Sequence, residues 1–302
     1  MKLKHYAYSG LKISSQLPIP EWSVFESSIS FQNPDVQIRL GESIKDKASQ
    51  KPNFTFKKNQ CCFFFPEAGE YTIRSGREII IKPLPTAKNR EIRLFLLGTS
   101  WGALNYQRGN TIFHAGAVKI RDQVMAFCGP AQSGKSTLTA WLVKKGYPMV
   151  SDDLCRFDVS SKSKLLIYPS FPRLKLWKDA LKALKWDQKK LTRDHFRMDK
   201  FHLPQETIDP SSPLPVSTLI ILEWGPLNLK RLAGLDAVES LVSQASYHSE
   251  LLEPMGQVAA HWERCIRVAQ RVSVWKFSRP RNLDQMDKTI QFLMDSSLAS
   301  PR

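Results

Sequence analysis

The chain has 302 residues, 42% of them hydrophobic, and a formal net charge of +16. That length suits one large domain or two smaller ones with a real core, and the charge asks for anionic partners without choosing among nucleotide, acidic peptide, nucleic acid and membrane surface. No apolar run approaches the roughly 18 residues of a spanning helix, and Met1-Lys2-Leu3-Lys4-His5-Tyr6 lacks the apolar stretch of a signal peptide, so a cytosolic protein with no membrane partner is expected.

Residues 1 to 88 read as a β-rich region with a scaffold, docking or dimerisation role. Short runs such as Val36–Leu40, Cys62–Phe65, Tyr71–Arg74 and Glu78–Lys82 carry strand residues, several alternating apolar and polar, and turn signals such as Ser75-Gly76 separate them. Pro18-Ile19-Pro20 reads as a rigid turn. Residues 89 to 302 form the second predicted domain. It opens with a helix over Glu91–Tyr106, weakened by Gly98 and Gly102. The five cysteines include no C-x-x-C pair and no cluster with zinc-ligand spacing, so buried reduced thiols are expected.

Thr111–Ile120 reads as a strand, Arg121-Asp122-Gln123 as a turn, and the following apolar run as a second strand. That strand enters Gly129-Pro130-Ala131-Gln132-Ser133-Gly134-Lys135-Ser136-Thr137, which has the form G-x-x-x-x-G-K-S and is followed by a helix ending near Lys145. The chemistry is that of a phosphate-binding loop: Gly129 and Gly134 let successive N–H groups, those of Ala131, Gln132 and Ser133 included, turn toward phosphate oxygens. The helix start adds its positive dipole end. Lys135 reaches the β- and γ-phosphates and the Ser136 hydroxyl ligates Mg²⁺. Two adjacent strands joined by a turn ahead of such a loop differ from the usual alternating β/α entry.

Tyr147–Val150 then reads as a short buried strand that ends in Ser151-Asp152-Asp153. One carboxylate there can hold Mg²⁺ and the other can accept a proton from a hydroxyl nucleophile. From Arg173 to Lys200 ten basic residues stand against four acids, mostly as a solvated face, with Arg173 and Lys200 the two singled out for substrate contact. Val216–Trp224 is a buried strand; helices are expected over Asp236–Gln244, Leu251–Ala269 and Leu283–Met294, with a strand at Val272–Phe277, a turn at Arg279–Asn282 and a frayed tail from Ser296.

Phe113-His114-Ala115-Gly116-Ala117-Val118, the phosphate loop and Met149-Val150-Ser151-Asp152-Asp153 together resemble the catalytic domain of HPr kinase/phosphorylase, whose fold is related to phosphoenolpyruvate carboxykinase. The likeness is specific over about residues 111 to 180. Pro169–Trp177, the β-rich N-terminus and the total length resemble the shorter HPr-kinase-like proteins, some of which phosphorylate the C-terminal Ser of lasso-peptide precursors. The resemblance implies an α/β fold with an HPr-kinase-like core of mixed sheet and helices, ATP and Mg²⁺ as cofactors, and a peptide or protein carrying an acceptor Ser as partner. It implies His114 near the phosphates and Asp152 and Asp153 sharing base and metal duties, with the reading leaning to Asp152 as base and Asp153 beside the metal. It also points to a homo-oligomer. The chain departs from bifunctional members in having no later Gly-rich segment like the one they use for HPr and for the reverse reaction. A kinase of a small hydroxylated metabolite and a non-catalytic ATP switch would need the same residues. No helix-turn-helix, zinc-finger or RNA-recognition signature supports a nucleic-acid partner.

Overall fold

Two Ser-Gly pairs shape the N-terminal region. Ser9-Gly10 joins β1 (Lys4–Tyr8) to β2 (Leu11–Ser15) as a two-residue hairpin, with Tyr8 paired to Leu11, and all four residues of Ser9-Gly10 and Ser75-Gly76 have positive φ, a turn backbone whose twist matches the flanking strands. The structure, a computed structural model, describes residues 3–44, 51–57, 59–194, 199–206 and 208–298. The chain divides into two units, Met1–Ile112 with His248–His261, and Phe113–Tyr247 with Trp262–Arg302.

In the first unit β1 and β2 continue into β3 (Val36–Leu40), β4 (Asn53–Lys57), β5 (Gln60–Phe65), β6 (Gly69–Arg74) and β7 (Glu78–Pro83), a mixed sheet in the order β1-β2-β3-β7-β6-β5-β4. The region is β-rich as expected, with β1 an addition. The helix expected at 91–106 is two helices, α1 (Asn89–Phe95) and α2 (Trp101–Gln107), joined by a π turn in which Gly98 leaves helical geometry (φ −98°, ψ −108°). These helices belong with the sheet. Phe95 stacks on Phe65 at 4.0 Å, the Tyr71 hydroxyl donates to the Ile92 carbonyl, and Trp101 packs on Trp22 at 5.1 Å. The division after residue 112 therefore replaces the one expected after 88: the apolar face of α1 and α2 finds its cover on β5 and β6.

The second unit is built on β8 (Thr111–Ile120), β9 (Gln123–Cys128), β10 (Met149–Asp158), β11 (Leu165–Ile167), β15 (Leu214–Trp224), β16 (Asn228–Leu232) and β17 (Ser273–Arg279), in the order β11-β10-β8-β9-β15-β17-β16. A three-stranded sheet interrupts the run: β12 (Arg173–Trp177), β13 (Thr192–Arg193) and β14 (Lys200–Pro204). β11 also pairs with the start of β15, so five strands close into a ring. A bulge lies between Val216 and Thr218 where β15 pairs with β9. It shifts the side-chain parity, so that Val216, Leu219 and Ile221 face one core while Ile220 and Leu222 face the other.

α5 (Gly234–Ser240) and α6 (Val258–Ala269) contribute to the first of those cores. α3 (Lys135–Lys144), α4 (Lys178–Ala183) and α7 (Met286–Leu298) pack in the second, together with Leu174 and Leu176 of β12 and Phe201 of β14. The helix expected from Leu251 to Ala269 starts only at Val258, because Pro254 and Gly256 (φ +64°) break the chain after a short 3-10 turn. α7 runs through 296–298, which were expected to fray; the rest of the tail, like Arg197 of the basic run, lies outside the described residues.

Candidate functional site

β9, β15 and β17 run parallel, in register from Ile221 with Cys128 and from Trp224 with Arg279. Their carboxyl ends therefore gather at one place, the position at which open α/β sheets hold ligands. The phosphate loop leaves β9 there. Gly129 (φ +146°) sits so close to Ser133 and the Leu222 carbonyl that a Cβ would lie 2.7 Å from the Ser133 hydroxyl. Gly134 adopts the left-handed conformation (φ +82°) as α3 begins.

Lys135 is 5% exposed, and its ammonium donates to the carbonyls of Gly129 and Pro130, both at 2.7 Å. Burial lowers its pKa to about 8. The next residue points the other way: Ser136 Oγ donates to Asp152 Oδ1 at 3.0 Å.

The acidic pair does not end a short strand. It lies inside the ten-residue β10, where the two side chains would face opposite ways in a regular strand. Asp153 escapes that alternation with φ +74°. Asp152 is buried and accepts the Lys175 backbone N–H at 3.0 Å on its second oxygen. Asp153 pairs with His114 Nε2 at 3.4 Å and with Lys175 Nζ at 2.8 Å. Burial, then the neighbouring Asp153 charge, push Asp152 up to about 6. For Asp153, burial works in the same direction but Lys175, His114 and Lys200 outweigh it and hold the carboxyl well below its ordinary range. Lys175 in turn stands 3.6 Å from Asp194, which bonds His202 of β14. Burial would lower the Lys175 pKa, yet Asp153 and Asp194 raise it, so the ammonium stays charged.

A cleft of about 860 Å³ opens over the loop. His114, Ala131, Gln132, Gly134, Lys135, Ser136 and Thr137 line it, as does Lys200. Asp152 and Asp153 join it through Ser136 and His114, whereas Gly129 and Ser133 sit within the turn of the loop itself. Arg173 stands apart from that lining, its guanidinium 3.2 Å from His202 Nδ1 and over the Phe171 ring. Lys175, Trp224 and Arg279 are cleft residues that the sequence reading did not single out. Lys175 was one basic residue among ten, and only its alternation partners Leu174 and Leu176, both buried in the core, mark it as facing away from them. Trp224 and Arg279 end parallel strands beside the loop strand, a position that becomes visible once the strand order is known.

Ser136 and Asp152 supply a hydroxyl and a carboxylate, the hard-oxygen set that Mg²⁺ shares with substrate phosphates. Among the described residues no group of three or more His, Cys, Asp or Glu could hold a metal by protein ligands alone. No family model and no curated protein sequence matches the chain. Among solved structures the chain is similar to the Hpr(Ser) kinase/phosphatase from Coxiella burnetii, with 16% sequence identity over 62% of this chain and 93% of that one and a TM-score of 0.31.

Proposed function

We propose that this chain is an ATP- and Mg²⁺-dependent kinase that transfers the γ-phosphoryl group to the serine hydroxyl of a peptide or protein. The observation that carries the reading is the bond from Ser136 Oγ to Asp152 with Asp153 turned beside it by its positive φ. A phosphate loop alone serves binding; a loop hydroxyl tied to one carboxylate, with a second ionised carboxylate next to it, serves transfer.

In this reading the duties of the two carboxylates are exchanged relative to the sequence expectation. Asp152, bonded to Ser136, would hold Mg²⁺ with it, and the ion would supply positive charge against the phosphate oxygens. Lys135 gives up the Gly129 and Pro130 carbonyls for phosphate oxygens. Asp153 takes the proton of the serine hydroxyl as the bond from that oxygen to the γ-phosphorus forms and the bond to the bridging β–γ oxygen breaks, releasing ADP. His114 and Lys175 keep Asp153 oriented and ionised. A loose phosphoryl transition state asks little basicity of that carboxylate, so its low pKa is compatible with the role.

For the acceptor, the likeness of Pro169–Trp177 and of the β-rich N-terminus to the shorter HPr-kinase-like proteins, with no later Gly-rich segment of the kind used for HPr, favours the C-terminal Ser of a lasso-peptide precursor over HPr. The test is ADP release and phosphopeptide formation with ATP, Mg²⁺ and three acceptors in parallel: a precursor peptide ending in Ser, HPr, and a panel of hydroxylated metabolites. Transfer to the peptide supports the reading; transfer to metabolites alone refutes it.

A further inference from the structure

Arg279 is a buried cation with no anionic partner among the described residues. It is 1% exposed, at the end of β17. Nη2 donates to the Ser133 carbonyl at 2.9 Å, the guanidinium lies 4.2 Å over the Trp224 ring, and Nε has no hydrogen-bond partner. Among the described residues no carboxylate comes within salt-bridge reach of it. Burial lowers its pKa to about 10, with no opposing charge to offset that. A desolvated charge in this state is costly unless an anion completes the site.

The surroundings say where that anion belongs. Arg279 Nη2 would lie 2.3 Å from a Cβ on Gly134, the residue that caps the start of α3, so the guanidinium abuts the loop at its positive helix end. Trp224 also donates from Nε1 to the Gln132 carbonyl at 3.2 Å. Two successive loop carbonyls, those of Gln132 and Ser133, are thus tied outward by side chains from the ends of β15 and β17. Both side chains line the cleft that Lys135 and Ser136 line.

We propose that Arg279, seated on Trp224, is a second cation of the polyphosphate site: it braces the loop through Ser133 and its charge is completed by the bound phosphate chain. The proposal rests on the nucleotide reading above only for the identity of the natural ligand, since its chemistry is that of any polyphosphate.

The experiment measures binding of tripolyphosphate, ATP and adenosine to the full chain and to R279Q and R279K by calorimetry. R279Q can keep a donor to the Ser133 carbonyl and loses the charge; R279K keeps the charge and loses the planar fork. Tripolyphosphate and ATP should bind R279Q at least tenfold more weakly, R279K should stay within about threefold of the parent, and adenosine should not distinguish the three. R279Q binding tripolyphosphate within twofold of the parent, or R279K losing tenfold, would overturn the proposal, and either variant suffices should the other not fold. A parent chain that binds tripolyphosphate but not ATP would leave Arg279 in this role and remove the kinase reading. A parent that binds neither would end both.

Discussion

Ser136 on the first turn of α3 donates to Asp152 on β10 at 3.0 Å, and this one bond joins the phosphate loop to the acidic pair. In the proposed kinase this bond puts Asp152 on the metal side. Ser136→Ala and Asp152→Asn should therefore fail alike. Each is expected to weaken the Mg²⁺ dependence of ATP binding by tenfold or more, with little change in metal-free ATP binding. Calorimetric titration with and without Mg²⁺ reads both quantities. A normal Mg²⁺ effect in Asp152→Asn combined with its loss in Asp153→Asn would return the metal to Asp153.

Lys175 binds Asp153 through its side chain and Asp152 through its backbone N–H, so it holds both acids at once. Lys175→Met would leave Asp153 and Asp194 without their shared cation. Breaking a fully buried pair costs about 3–5 kcal/mol; Asp153 is partly exposed, so a loss of about 1–3 kcal/mol in unfolding free energy is expected, by urea denaturation. Turnover should fall more than tenfold at saturating ATP while ATP affinity stays within threefold.

Gly116 of β8 marks a close approach. A Cβ there would lie 2.2 Å from Thr139 Oγ1 and 3.4 Å from Asp152 Oδ1. Gly116→Ala is expected to cost about 1–3 kcal/mol, the usual range for overpacking. The double variant Gly116→Ala/Thr139→Ala removes the hydroxyl that causes the clash and should recover at least half of that loss. Paired thermal and urea melts of the three variants test the coupling.

Asp152 gives the site a pH signature. Its folded pKa of about 6 lies above the ordinary 3.8, so the folded chain binds the extra proton between those values. The resulting contribution to stability is fully present below about pH 4 and is lost as pH rises through 6. At roughly 1.4 kcal/mol per pKa unit, the swing is at most about 3 kcal/mol. The difference in unfolding free energy between the parent and Asp152→Asn, followed from pH 4 to 7, should slope in that sense. A flat difference would mean that Asp152 is not desolvated as its burial implies.

Much of the site was legible in the chain because its parts are local. The loop needs a strand, two glycines and a helix start within a dozen residues, and all three are written consecutively from Gln123 to Lys144. Asp152-Asp153 followed from an apolar run ending in acids, although β10 continues past them because Leu154, Cys155 and Phe157 are buried too. The long-range partners were not legible. Lys175, Asp194, Trp224 and Arg279 reach the site through the pairing of β12 with β14 and of β15 with β9 and β17, and nothing in their local sequence encodes that pairing. The boundary after residue 88 failed for a related reason. Pro83-Leu84-Pro85 does end a strand, but the helices beyond it are claimed by apolar residues of β5 and β6 that a local composition shift does not reveal.

In the proposed reaction Asp153 receives the proton of an acceptor hydroxyl during phosphoryl transfer. The most direct test of this is phosphoserine formation, by mass spectrometry, on a precursor peptide ending in Ser with ATP and Mg²⁺, for the parent chain and for Asp153→Asn. Phosphopeptide from the parent, with a rate at least a hundredfold lower in Asp153→Asn and ATP affinity within threefold, is the expected result. Equal rates in the two proteins, or ATP binding by the parent with no phosphoserine formed, would contradict it.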